Sequence, residues 1–173
     1  MRVVGLLGLV ASVAVLVVGS PTGPGGDLSL EEARSFEEFP LYFAGDEVDG
    51  VSLAAVLRRD EGADYVSFVY GECSPTSDSG CAPPAEVQVW PADVRYAGSY
   101  DASAGAPSVE HTRNRGRPAA FVGDGMQLEL YTEESTIVVF ADTRQRLLAI
   151  AKALRCLGRD HDGPREELLG CRR

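Results

Sequence analysis

The chain is poor in the residues on which most recognisable chemistry depends. It has a single lysine, Lys152, two histidines, His111 and His161, and one tryptophan, Trp90. Basic residues number 16 against 26 acidic ones, a net charge of -10. That shortage of positive charge argues against nucleic acid as a partner, because phosphate binding needs a basic surface. There is no C-x₂-C, and the two histidines fall at unrelated positions, so the ligand spacing of a zinc site is missing. There is no G-x-S-x-G. Ser108 and His111 are close in sequence, but on a strand three positions apart means opposite faces, which disfavours a dyad.

Other partial motifs fail in similar ways. Gly123 and Gly125 lack the rest of a phosphate-binding fingerprint. The turn DEVDG at residues 46–50 holds three carboxylates without the alternating oxygen ligands of a calcium loop, and reads as a solvated turn. Paired carboxylates of the glycosidase kind stay open, since 26 acidic residues always offer pairs. No catalytic, cofactor-binding or metal-ligating residue is nominated.

What the chain does contain begins with an unbroken apolar run. Met1 and Arg2 precede residues 3–18, and the breaker-rich SPTGPGG follows. A short positive start, an apolar stretch and small residues behind it describe a secretory signal, with Val17 and Gly19 placed for cleavage before Ser20. The same run is near the lower limit for a bilayer span, usually about 20 residues, so an uncleaved anchor is the competing reading. Either places the rest outside the cytoplasm: secreted, or tethered to the cell membrane through residues 3–18. The arginine-over-lysine bias and the abundance of Ala and Gly read as GC-rich bacterial coding.

Four cysteines in an exported chain read as two disulfides, for which three pairings exist. Cys73 with Cys81 is the local choice, worth about 2.5 kcal/mol by loop entropy, which leaves Cys156 with Cys171 at roughly 3 kcal/mol.

After a linker over residues 20–28, one domain is expected over residues 29–173, of a length that holds one core. Ser29 and Glu32 form a capping-box pattern for a short helix over residues 30–38, ended by Pro40, with Leu30, Ala33, Phe36 and Phe39 facing inward. PLYFAG (40–45) reads as a strand. Residues 51–60 fit a helix or a strand, and strand is favoured because β signals flank them. Residues 65–95 read as a long hairpin, two runs rich in Val, Phe, Tyr and Trp around a tip bounded by Cys73 and Cys81. Residues 92–105 read as loops with room for one short strand.

From Val109 up to four strands follow. Asp124-Gly125 is a hairpin signal. Met126, Leu128 and Leu130 alternate with Gln127, Glu129 and Tyr131. STIVVFA (135–141) is apolar on both faces, as a covered central strand would be. A helix then starts with Asp142 as N-cap and Gln145 at N3. Its stripe is Leu147, Ile150, Ala151, Leu154 and Leu157; Arg155 and Arg159 sit near its end, and Gly158 stops it. On that helix Cys156 lies opposite the stripe, so the tail should cross the helix's outer face to Cys171. The expected fold is thus α+β: an antiparallel twisted sheet with a C-terminal helix packed on one face, preceded by a hydrophobic export segment.

Residues 116–156 resemble the C-terminal part of bacterial extracytoplasmic domains related to lipoprotein carriers and anti-sigma-factor regulators. Gly116, Pro118 and Ala119 match their G-x-P-A strand, and Leu147, Ile150, Ala151 and Leu154 match their L-x-x-I-A-x-x-L helix. Residues 29–105 lie outside the resemblance. It implies a non-enzymatic binder of lipid, peptide or envelope protein. The expected function is therefore binding of an envelope partner or an apolar, lipid-like ligand; the alternative is an exported hydrolase whose site the sequence does not reveal. The candidates for partner contact are Trp90 and the basic run HTRNRGR, with Arg113, Arg115 and Arg117. For that run, a solvated arginine-rich loop or edge strand is the plainer reading. Tyr65, Phe68, Tyr70 and Trp90 could line a groove, though at strand spacing most should pack in the core.

Overall fold

The computed structural model describes residues 26–72, 82–95, 107–158 and 171. The export segment, the Cys73–Cys81 pairing, the hairpin tip, most of the 92–105 loop, Arg159 and His161 lie outside the described residues. Among those described, no helix is long and apolar enough to cross a membrane.

Nine described strands form one sheet. They are β1 (Gly26–Leu28), β3 (Glu47–Val48), β4 (Val51–Asp60), β5 (Asp64–Tyr70), β6 (Ala85–Pro91), β7 (Val109–Asn114), β8 (Arg117–Val122), β9 (Gln127–Tyr131) and β10 (Ser135–Ala141). Their order is β1-β4-β5-β6-β10-β9-β8-β7, with β3 also on β4, and every pairing is antiparallel. Two meanders therefore meet in the middle. β4-β5-β6 fold up in sequence; the chain then crosses to the far edge at β7 and winds back through β8 and β9 to lay β10 beside β6. Strand predominates, and the α content is small: α1 (Leu30–Arg34) and α2 (Arg144–Ala153).

Residues 51–60 are a strand, as the flanking β signals suggest. The hairpin over residues 65–95 is the β5–β6 pair, with Val66 opposite Val89 and Phe68 opposite Val87. Its β-branched and aromatic side chains suit a surface buried on both sides. Gly26–Leu28, at the end of the expected linker, pairs with Val56–Arg58. DEVDG becomes the β3–β4 hairpin, where Asp49 and Gly50 supply positive φ of 49° and 75° for a two-residue turn.

Pairing sorts the side chains into two faces. On the helix face one row crosses six strands: Val56, Phe68, Val87, Val139, Leu128 and Phe121. The next row on this face holds Val66, Val89, Ile137, Leu130 and Ala119. All eleven are buried, in one cluster with Leu147, Ile150 and Ala151 of α2 and with Leu41–Ala44. The N-terminal cover is tied on by hydrogen bonds. The Ala44 N–H donates to Tyr70 Oη at 3.0 Å, and Ser135 Oγ donates to the Pro40 carbonyl at 2.8 Å. α1 begins at the expected capping box, with the Glu32 N–H donating to Ser29 Oγ and the Ser29 N–H to the Glu32 carboxylate. The hydrogen bonds that the Glu32 carboxylate accepts from the Ser29 N–H and from Ser29 Oγ hold it below its ordinary pKa.

Four local expectations are corrected. α1 ends at Arg34, well before Pro40. The expected strand at 40–45 shrinks to β2 (Tyr42–Phe43). The N-cap of α2 is Thr143, whose Oγ1 accepts from the Arg146 N–H at 3.2 Å, in place of Asp142. And α2 stops at Ala153, with Leu154 as C-cap at φ -51° and ψ 133°. The chain then forms β11 (Arg155–Cys156), which pairs with β2. Cys156 is therefore buried in a strand and never sits on the outer side of a helix. It bonds Cys171, which is itself buried, and the Cys171 N–H donates to Tyr42 Oη at 3.3 Å. The expected pairing is present, for a different reason: it joins Cys171 to β11 beside β2, within the helix-face core.

Candidate functional site

The second face of the sheet is chemically different. One residue over from the apolar row runs another, across seven strands: Leu57, Ser67, Gln88, Val138, Glu129, Ala120 and His111. Strand alternation puts these on the side away from α2. Polar groups recur here, yet Ser67 and Glu129 are both 0 % exposed. A buried polar group is costly unless it is hydrogen-bonded, and here each finds partners.

Glu129 is the hub. Its Oε1 accepts from Arg95 Nε at 2.8 Å and from Gln127 Nε2 at 2.9 Å, and its Oε2 accepts from Tyr131 Oη at 2.7 Å. The Arg95 side chain keeps 25 % of its surface in water while its partner keeps none. Arg95 comes from the turn after β6, and Thr136 Oγ1 holds that turn by donating to the Arg95 carbonyl at 2.7 Å. The Arg95 guanidinium also lies 5.5 Å from the centre of the Trp90 ring.

A second chain of contacts runs along β6. Trp90 Nε1 donates to Gln88 Oε1 at 3.1 Å, Gln88 Nε2 donates to Glu86 Oε1 at 3.0 Å, and Ser67 Oγ donates to the same Glu86 oxygen. Trp90 stacks on Tyr65, with centroids 3.9 Å apart and planes 12° from parallel. Tyr65 Oη donates to Glu61 Oε1 at 2.8 Å. Burial first, and then that hydrogen bond to Glu61, push the Tyr65 hydroxyl well above the ordinary tyrosine range.

At one end of this face opens a cleft of about 790 Å³. Phe140, Gln127 and Val122, paired neighbours on β10, β9 and β8, form its floor. Pro83, Pro84, Pro107 and Met126 add apolar wall, and Arg95, Asp124 and Asp142 supply the charged positions. Ala82, Arg95 and Pro107 of the lining border the chain stretches outside the described residues. Its volume falls within the range of small-molecule sites, about 300–1,000 Å³. Among the described residues no group of three His, Cys, Asp or Glu side chains is placed to hold a metal ion.

The nominated residues divide. Trp90 belongs to the second face, buried in the stack on Tyr65 and outside the cleft lining. Phe68 and Tyr70 are in the helix-face core. Arg113, Arg115 and Arg117 sit together on the β7–β8 hairpin, at the sheet's edge. Arg113 donates to the Gly116 carbonyl at 2.7 Å, and Arg115 donates to the Leu154 carbonyl at the end of α2. Arg117 faces Glu133 at 3.7 Å. Burial lowers the pKa of the Arg115 guanidinium. Ser108 Oγ donates to the Gly123 carbonyl at 2.7 Å.

Sequence reasoning passed over Glu129 and Arg95. Glu129 was visible as one polar member of an alternating strand, but alternation does not say whether the polar side is wet. Arg95 carried no signal at all, since its role comes from a turn packed on a strand far away in sequence. Comparison of the chain with protein-family models, with curated proteins and with solved structures finds no match.

Proposed function

We propose that this chain is an exported or membrane-tethered domain that acts by binding, and that the cleft beside Phe140, Gln127 and Val122 takes a small apolar, lipid-like ligand. The single observation that carries this reading is the cleft itself: about 790 Å³ with a largely apolar floor and wall, on a face whose neighbouring polar groups already satisfy one another. Glu129 accepts from three donors, which suits a fixed scaffold better than a group that must exchange protons. The resemblance of residues 116–156 to extracytoplasmic lipoprotein-carrier and anti-sigma-regulator domains points the same way.

The test is titration of the mature chain with the environment-sensitive dye 1-anilinonaphthalene-8-sulfonate, beside mass spectrometry of an organic extract of protein recovered from cells. The expected result is saturable, one-site dye binding, weakened about tenfold, or 1.4 kcal/mol, when Phe140→Gln makes the floor polar. Dye binding that is absent, or equal in Phe140→Gln, would overturn the assignment of the cleft.

A further inference from the structure

The cleft beside Phe140 has an apolar floor, and the balance of charge around it is negative. The charged side chains in its described lining are Arg95, Asp124 and Asp142. Arg95, the cation among them, holds Glu129 Oε1 at 2.8 Å from its Nε. Asp142 pairs with Arg146, and the same guanidinium also faces Asp49 at 3.4 Å. Two carboxylates thus share a single positive charge. Asp124 differs: among the described residues no Arg, Lys or His forms an ion pair with it.

Glu86 adds to the imbalance. It stands opposite Phe140 on the neighbouring strand, on the same face, and its hydrogen bonds come from neutral Ser67 and Gln88. Directly opposed side chains have Cβ atoms about 4.5–5.5 Å apart, so this carboxylate stands beside the floor. Arg144 donates to the Gly125 carbonyl at 3.3 Å, but its guanidinium lies over Phe121. Phe121 points to the helix face, so that charge is held across the sheet from the cleft. The stretches 73–81 and 96–106, which border the lining in sequence, contain Asp78 and Asp101 and no Lys, Arg or His. Their composition supplies no cation to offset the carboxylates.

Asp124 is fixed by its own chain. It lies in the β8–β9 turn between Gly123 and Gly125, at positive φ of 69° and 82°. Its Oδ1 accepts from the Met126 N–H at 3.1 Å, an Asx turn. That bond uses one carboxylate oxygen and leaves Oδ2 able to accept from a ligand. Apolar, low-dielectric walls focus the field of such a group, in a chain whose net charge is already -10. An anionic head would be repelled there, whereas an ammonium gains both charge and apolar contact.

We propose, resting on the reading of this cleft as a small-molecule site, that its ligand is an apolar cation and that Asp124 selects it. The chemical class is an alkyl or aryl body that carries an amine or a quaternary ammonium. The body lies on Phe140 and Val122, and the cationic head reaches the Asp124 carboxylate. Fatty acids and anionic phospholipids are disfavoured by the same charge.

Isothermal titration calorimetry of the mature chain compares three probes with one tail, each kept below micelle formation: octyltrimethylammonium, octanol and octyl sulfate. Octanol reports the apolar cleft without any charge. The cation should bind at one site about tenfold more tightly than the sulfate at low salt, and the gap should close as salt is raised. Asp124→Ser keeps an oxygen for the Met126 N–H and removes the charge. It should weaken the cation about threefold to fivefold and leave octanol unchanged. Phe140→Gln should weaken cation and octanol alike. If none of the three probes binds, the cleft is not a ligand site and both readings fall. If octanol binds but the two ions bind equally, or Asp124→Ser leaves the cation's affinity as it was, the charge assignment alone is overturned. Cation binding indifferent to Phe140→Gln would show attraction to the acidic surface at large, and would overturn it too.

Discussion

Two rows of side chains cross the same strands one residue apart, and they share almost no chemistry. Val56, Phe68, Val87, Val139, Leu128 and Phe121 make a dry layer under α2. Ser67, Gln88, Val138 and Glu129, their immediate chain neighbours, make a layer in which hydrogen bonds matter as much as contact area. Because side chains alternate with a period of two, slipping any strand by one residue would exchange the rows. The apolar row stabilises the sheet without directional demands. The polar row adds a penalty for every wrong pairing, since a displaced Glu129 would be a buried carboxylate without its donors. The pair teaches how a sheet covered on one face by a ten-residue helix and the N-terminal segment holds a unique register.

The contrast can be broken most severely from the apolar side. Phe68 is 0 % exposed beneath the N-terminal cover, its ring 6.0 Å from that of Phe43. Phe68→Ala should cost about 3–5 kcal/mol, a large share of the 5–15 typical of a domain. Urea unfolding with disulfides intact measures it, and a midpoint equal to the wild type's would mean that this layer is not the core. The companion change Arg144→Ala tests the rim of the same layer. The Arg144 guanidinium lies 3.7 Å from the centre of the Phe121 ring, a contact that the helical stripe did not reveal, and its removal should cost about 1 kcal/mol.

The polar row answers to a different probe. Glu129→Ala leaves Arg95 beside a cavity where the carboxylate stood, and the expected cost is about 3 kcal/mol. The double change Glu129→Ala with Arg95→Ala should cost clearly less than the two single changes added together. Strict additivity would show that the 2.8 Å contact contributes nothing to stability.

A further effect is one of pH, and it links the cover to the sheet. Burial, the largest cause, raises the Tyr70 hydroxyl to about 12 from 10.0, against a smaller lowering by its hydrogen bond from Ala44. A group whose folded pKa is raised stabilises the fold fully below its unfolded pKa and loses that contribution as pH climbs through the folded value. Tyr70 should therefore contribute fully below pH 10, and about 2–3 kcal/mol should be lost between pH 10 and 12. Tyr70→Phe should flatten this alkaline slope in denaturant melts at pH 9 to 12. An unchanged slope would place the alkaline sensitivity elsewhere, with buried Tyr42 the next residue to substitute.

What was legible in the amino acids alone is what depends on near neighbours. The β5–β6 hairpin, the alternation in β9, the doubly apolar β10, the capping box at Ser29 and Glu32, and the stripe of Leu147, Ile150 and Ala151 all follow from periods of two or 3.6 and from caps a few residues apart. The end of α2 was not legible. Leu154 continues the apolar spacing, but pairing of Arg155 and Cys156 with Tyr42 and Phe43 outweighs another helical turn. Nor was the meeting of β6 with β10, which joins strands separated by the whole β7–β9 excursion and depends on closing a long loop. Glu129 shows the division most clearly. Its place opposite Leu128 and Leu130 is written in the local alternation, but its burial depends on Arg95 and Tyr131 arriving with their donors. Only the assembled sheet brings those groups together, because a side chain's face is a local property and what covers that face is not.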